Sequence, residues 1–240
     1  MPWHAQLHLH YRLDPPRTVL QHRHNGPLRI LKSLYPEGDA ICHNVVVHPP
    51  GGLVGGDLLD VTLHVETGAH AMLGTPGATR FYAADNANAT QQVAITLEPG
   101  ARLEWLPLEA IAYPGCDALN AVSATLAEGA EMMGWDVTAL GLPLAQQPYT
   151  SGRFRQRLEM PGIWLEQATI DATDTRLMQS PLGLAGQRCL GTLWLACGEP
   201  LARERREHLL DAVRDTLGQA GTDVRAGAPS PHPQLRVVRA

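Results

Sequence analysis

Eleven histidines stand in 240 residues, and nine of them fall within the first 70. His8 and His10 sit in a stretch where Ala5, Leu7, Leu9, Tyr11 and Leu13 alternate with polar residues. On a strand, two residues separated by one project from the same face, about 7 Å apart. His22 and His24 repeat that spacing. Imidazole pairs of this kind suit Ni²⁺ or Zn²⁺, so both are candidate weak metal ligands. A solvated polar strand face also accounts for them, because neither pair has a carboxylate at metal-site spacing.

The second candidate set is acidic. Glu104 and Glu109 stand among apolar residues, Asp136 follows Trp135, and Glu166 follows Trp164-Leu165. A carboxylate in such a run is costly unless it meets water, a cation or a hydrogen-bond donor. An outward, wetted position would satisfy each one singly. Four such acids with no matching basic run weaken that reading taken together.

The third candidate is a loop, His48 to Asp57, reading His-Pro-Pro-Gly-Gly-Leu-Val-Gly-Gly-Asp. His48, Gly51, Gly52, Gly55 and Gly56 shape a turn that delivers the carboxylate of Asp57. A phosphate loop needs Gly-Lys-Ser/Thr followed by a helix whose N-terminus faces the anion. Here Asp57 takes the place of the lysine, and Val61, Leu63 and Val65 alternate with Asp60, Thr62, His64 and Glu66, which is strand period. The loop therefore reads as a wide turn or bulge between two strands.

The elements that position these groups follow from a repeat. Gly38, Gly68, Gly100, Gly129 and Gly162 recur every 29 to 33 residues, each closing an alternating strand. Fixed-period self-similarity implies units that bury their apolar faces by stacking. The chain is thus expected to be mainly β, with repeated strand units forming stacked sheets, solenoid- or sandwich-like, in a single β-rich domain of residues 1–240. Residues 1–171 form the repetitive body. Residues 172–240 form a strand and helix part, with Cys189–Cys197 a strand buried on both faces. That part holds one long helix near Pro200–Gly218, ended by Gly218 or Gly221, and a short helix within Thr175–Arg188. A net charge of −5 gives no footprint for nucleic acid. Four cysteines without a Cys-x-x-Cys pair, no apolar leader and no membrane-length apolar run point to a soluble, cytoplasmic protein. There is no nucleophile elbow, zinc signature or Walker motif.

Three strings carry a resemblance: residues 48–57 quoted above, Pro-Gly-Ala-Thr-Arg-Phe-Tyr at 76–82, and Leu-Glu-Trp-Leu-Pro-Leu-Glu-Ala-Ile at 103–111. Together with Tyr35-Pro36-Glu37, Trp135-Asp136 and Gly191-Thr192-Leu193, in the same order, they resemble the urease accessory protein D family, called H in some bacteria. The likeness runs over about residues 3–240. It implies a β-rich, non-catalytic scaffold for nickel insertion into apo-urease. Its expected partners are the accessory F protein, through it the nickel-binding GTPase G, and apo-urease, with neither nucleic acid nor membrane. No cofactor would be held tightly, and nickel only transiently. Carried over position by position, a water-filled nickel passage would involve Asp57, Thr79, Asp136 and Glu166. The His8/His10 and His22/His24 pairs lie outside the family pattern. The chain is also expected to lack a further family-typical segment after Ala240. Two other readings stand beside this one: a metal-dependent β-fold enzyme using the His-x-His pairs, and an adaptor whose acids only decorate its surface.

Overall fold

The computed structural model describes residues 2–85, 87–219 and 225–240. In chain order the strands are β1 (His4–Asp14), β2 (Arg17–Asn25), β3 (Arg29–Ile30), β4 (Ile41–Val47), β5 (Leu58–Val65), β6 (His70–Gly74), β7 (Thr79–Phe81), β8 (Ala89–Leu97) and β9 (Arg102–Leu106). They continue as β10 (Ala110–Ala112), β11 (Cys116–Leu126), β12 (Glu131–Leu142), β13 (Gln147–Pro148), β14 (Gly152–Met160), β15 (Trp164–Asp171), β16 (Cys189–Cys197) and β17 (Leu235–Arg239). Helix α1 is Thr175–Gln179 and helix α2 is Arg203–Gln219.

From β4 to β14 the longer strands alternate between two sheets. The first has the order β15-β14-β11-β8-β5-β1-β2; the second runs β17-β16-β12-β9-β6-β4-β3, with the short β7, β10 and β13 attached through β12. Within the body, neighbours are parallel: β1 with β5, β5 with β8, β8 with β11 and β11 with β14 in the first sheet, and β4, β6, β9 and β12 in the second. This is the expected stack of strand units, wound as a two-sheet solenoid. Antiparallel strands finish it: β2 and β15 on the first sheet, β3, β16 and β17 on the second.

The winding follows from tight turns. Ala69 N donates to Glu66 O, Ala101 N to Glu98 O, and Ala130 N to Ala127 O, each at 3.0 Å. Gly68, Gly100 and Gly129 stand third in those turns with φ of 72°, 68° and 71°, a left-handed value that glycine adopts without a Cβ penalty. Each turn carries the chain from the first sheet to the second. Gly162 closes a similar turn, but between β14 and β15 of one sheet, so the solenoid stops there. Gly38 differs: it is the last residue of a turn opened by Tyr35.

In-phase apolar residues stack into ladders between the sheets. Leu7, Val61, Val93, Val122 and Leu158 occupy one register on five adjacent strands, all buried. Cys42, Ala71, Leu103, Met132 and Ala196 share one register on the second sheet, again all buried. Burying a Val or Leu side chain contributes about 1.5–3 kcal/mol. The core is these ladders.

The C-terminal part holds one correction. β16 spans the expected residues, yet it alternates: Thr192, Trp194 and Ala196 are buried, while Leu193 and Leu195 are half-buried. Its outer face lies toward α2, where Leu209, Leu210 and Val213 border an apolar hollow shared with Leu193 and Leu195. One face of the strand meets the core and the other meets a helix that buries no residue fully. Gly218 lies inside α2 and Gly221 outside the described residues. No described helix is long and apolar enough to cross a membrane.

A buried polar file between the sheets

The 48–57 loop leaves β4 and is stitched to the segment around β7. Leu53 N donates to Arg80 O at 2.7 Å, and Tyr82 N donates to Leu53 O at 2.9 Å. The approach is close: a Cβ on Gly52 would stand 2.3 Å from Tyr82 Cε2. Gly51 and Gly56 adopt positive φ, and a Cβ on Gly55 would stand 2.7 Å from Ala87 O. The loop ends on Asp57, which is buried. One carboxylate oxygen accepts from Trp3 N at 2.7 Å, the other from Val54 N at 2.9 Å. Asp57 thus fastens the loop to the start of β1, with both oxygens engaged.

Beside this loop is a cavity of about 170 Å³, walled by Val46, Trp105, Thr79, Gln91, His48 and Arg80 among others. A file of side chains leads inward from it. Thr79 Oγ1 donates to Gln91 Oε1 at 3.4 Å, Gln91 Nε2 to Asn120 Oδ1 at 3.1 Å, and Asn120 Nδ2 to Asp136 Oδ2 at 2.9 Å. The other Asp136 oxygen accepts from Thr138 Oγ1 at 3.2 Å and from Gln156 Nε2. Gln91, Asn120 and Gln156 share one register on β8, β11 and β14. They form an amide ladder next to the Val93, Val122, Leu158 ladder, and Asp136 and Thr138 of β12 meet it from the opposite sheet. A second space of about 10 Å³, enough for one water, lies among Thr79, Gln91, Asn120 and Asp136.

Burial raises the Asp136 carboxyl to about 6, against the pull of hydrogen bonds from Thr138, Gln156 and Asn120. Desolvation likewise lowers the His48 imidazole below its usual range, against the nearby Asp57 charge. Buried and bonded as it is, Asp136 is a carboxylate whose charge is held by neutral donors alone.

The other sequence candidates separate. Glu166 lies on β15 and pairs with Arg239 of β17, bridging the last strands of the two sheets. Glu104 pairs with His70 at 2.8 Å. Glu109 is half-buried, and its carbonyl accepts from Thr79 N at 2.9 Å. The histidine pairs do not converge. His8 and His10 stand opposite Arg23 and Gln21, whereas His22 and His24 stand opposite Leu9 and Leu7, so the pairs project from opposite faces of the hairpin. Parallel neighbours supply the carboxylates that sequence spacing lacked: His10 meets Glu66 at 2.6 Å and stacks on His64, which meets Glu98 at 2.9 Å. His24 Nδ1 lies 3.1 Å from the Arg29 guanidinium. Among the described residues, no group of three or more His, Cys, Asp or Glu is placed to hold a metal ion.

Sequence reasoning missed Gln91, Asn120 and Gln156. A signal existed: each precedes an inward apolar residue (Val93, Val122, Leu158) by two, which puts a polar residue in the buried phase of the strand.

A family model described as "UreD urease accessory protein" matches residues 4–240. The chain is 58% identical over 239 residues to a urease accessory protein UreD of Paracidovorax citrulli, covering 100% of this chain and 87% of that protein. It is 56% identical to the protein of the same name from Variovorax paradoxus and 49% identical to that of Methylibium petroleiphilum, covering 100% of this chain and 87% and 88% of those proteins.

Proposed function

Because this chain belongs to the UreD urease accessory protein family, we propose that it serves urease maturation in the cytoplasm as a non-catalytic scaffold through which nickel passes to apo-urease. It binds the accessory F protein and, through it, the GTPase G. Nickel is its cargo, and no cofactor is held tightly. The observation that carries this reading is the polar file from Thr79 to Asp136, set beside the apolar ladders between the sheets. Buried hydroxyl, amide and carboxylate groups cost stability relative to an apolar ladder, so their alignment across three strands points to a use other than packing. Oxygen donors suit brief stops, because they bind Ni²⁺ more weakly than imidazole or thiolate and an ion in transit must leave each site. Thr79 and Asp136 line the interior of this route, Asp57 holds the loop at its mouth, and Glu166 stands at the far edge.

The test is co-expression of the chain with the F and G proteins and apo-urease in nickel-containing medium, with urease activity as the readout. Wild type activates urease, whereas Asp136→Leu co-purifies with the same partners and activates it at least about tenfold less, a 1.4 kcal/mol effect. Full activation by Asp136→Leu, with partners bound, would reduce the chain to an adaptor.

A further inference from the structure

Oxygen donors of the kind found from Thr79 to Asp136 bind Mg²⁺ and Ca²⁺ as well as Ni²⁺. Discrimination on this route needs a softer donor. Among the described residues lining the two spaces, His48 is the one imidazole. Its Nε2 is buried without a hydrogen-bond partner among the described residues. His10 and His43 share that lack, but their nitrogens face Glu66 at 2.6 Å and Glu37 at 2.8 Å. His48 forms no such pair. Leaving a buried polar nitrogen unpaired is unfavourable, and such groups call for an explanation. Burial also favours the neutral imidazole, the form whose lone pair binds a metal.

A cation stands on the wall of the same cavity. Arg80, a solvent-exposed residue, lines it, with Nη1 3.7 Å from where a Cβ on Gly51 would stand. Its guanidinium takes part in none of the ion pairs formed among the described residues. An uncompensated positive charge on the wall repels a dication and shortens its stay.

We propose that His48 is the selecting ligand at the mouth of the polar file. Together with the Thr79 hydroxyl it takes up a borderline transition-metal ion of the Ni²⁺ or Co²⁺ class in preference to Mg²⁺ or Ca²⁺, and Arg80 keeps that binding weak. The inference rests on the passage reading above and adds to it a selectivity and an order, imidazole first and oxygens after. One nitrogen donor with neutral oxygens is a stop on a route and not a resident site, in keeping with the absence of any three-ligand metal group among the described residues.

The test uses the purified full chain with methyl-labelled threonine, titrated with paramagnetic Ni²⁺ and separately with Mg²⁺. Ni²⁺ broadens the Thr79 methyl signal in the wild type, and a Mg²⁺ excess does not protect it. In His48→Gln, the Ni²⁺ needed for half-broadening rises at least about tenfold, as loss of the one strong ligand implies. In Arg80→Gln it falls several-fold, so the second variant reads the same site in the opposite direction, even if His48→Gln folds poorly. Equal broadening of Thr79 in wild type and His48→Gln overturns the proposal. So does an Arg80→Gln response that is unchanged or weaker. If Asp136→Leu loses urease activation while His48→Gln leaves the Thr79 response intact, the selecting role falls and the passage stands. If Thr79 responds through His48 while Asp136→Leu activates normally, the metal stop stands and the passage falls.

Discussion

At the scale of the residue, Asp136 sets the terms. Its carboxyl is raised to about 6 from an ordinary 3.8 because burial disfavours its charge more than three neutral donors favour it. A folded-state value above the unfolded one means that the native state holds the proton more tightly. The resulting stability is fully present below about 3.8 and is lost as pH rises through about 6. The two values differ by about 2 units, so roughly 3 kcal/mol separates the acid limit from neutrality. Urea unfolding of wild type and Asp136→Asn, compared between about pH 4 and about pH 7.5, should show wild type losing roughly 2 kcal/mol relative to the variant. Parallel pH dependences would mean that Asp136 carries no such shift. A second variant probes the donors. Asn120→Ala takes the hydrogen bond from Asp136 Oδ2 and leaves Gln91 Nε2 without its acceptor. It should cost about 2 kcal/mol and raise the Asp136 carboxyl further, as carboxyl chemical shifts would report. Asp136 was legible in the sequence because a charge in an apolar run is conspicuous. Its partners were not, because neutral amides raise no alarm in composition and reveal themselves only by the phase of the strand.

At the scale of the element, the glycine turns show what local chemistry can specify. Gly100 adopts φ of 68°, and a Cβ there would touch nothing within 4 Å. Gly100→Ala should therefore cost only the left-handed strain, about 1–2 kcal/mol, and Gly100→Asn less, since asparagine tolerates that region. Gly134 on β12 is the opposite case. A Cβ there would lie 2.4 Å from Cζ2 of the buried Trp194, and the cost of Gly134→Ala is steric. It should exceed that of Gly100→Ala, at roughly 3 kcal/mol for so close an overlap, with a perturbed tryptophan emission spectrum that the turn variant lacks. Equal costs and unchanged fluorescence would contradict this division. The turns were readable from the sequence because Pro-Gly and Thr-Gly act over four residues. The parallel register was not, since it depends on partners about 30 residues away. It is that register which brings Glu66 to His10 and Glu98 to His64, although the sequence placed no carboxylate at metal-site spacing beside the His8/His10 pair. The alternation in β16 escaped for a similar reason: α2 lends an apolar partner to the outer face, so both faces of the strand read as buried.

At the scale of the molecule, the question is how an open two-sheet stack is closed. The stack ends in β15 on one sheet and β17 on the other, and Glu166 and Arg239 join them across 73 residues. Arg239 stands in register with Thr192, which stands in register with Asp136, so the Arg239 end of the clasp lies level with the buried carboxylate, while Glu166 stands in register with Leu158 of the adjacent apolar ladder. The sequence marked Glu166 and Asp136 as equivalent acids in apolar strands. The fold separates them by function: Asp136 is held by neutral donors inside, and Glu166 by a cation at the edge. Their physical signatures should differ accordingly. Arg239 is half exposed, which limits the worth of the pair to about 1 kcal/mol. Glu166→Ala and Arg239→Ala should each destabilise the chain by about that amount, and the double variant by clearly less than the two together, because either change alone already opens the clasp. Strict additivity in the urea midpoints would show that the pair holds nothing. Raised salt should weaken the coupling, as it does for any partly exposed pair, while leaving the cost of Asn120→Ala untouched, since that network is neutral on the donor side and buried. A closure sensitive to salt and an interior sensitive to pH would then be two separable controls on one solenoid.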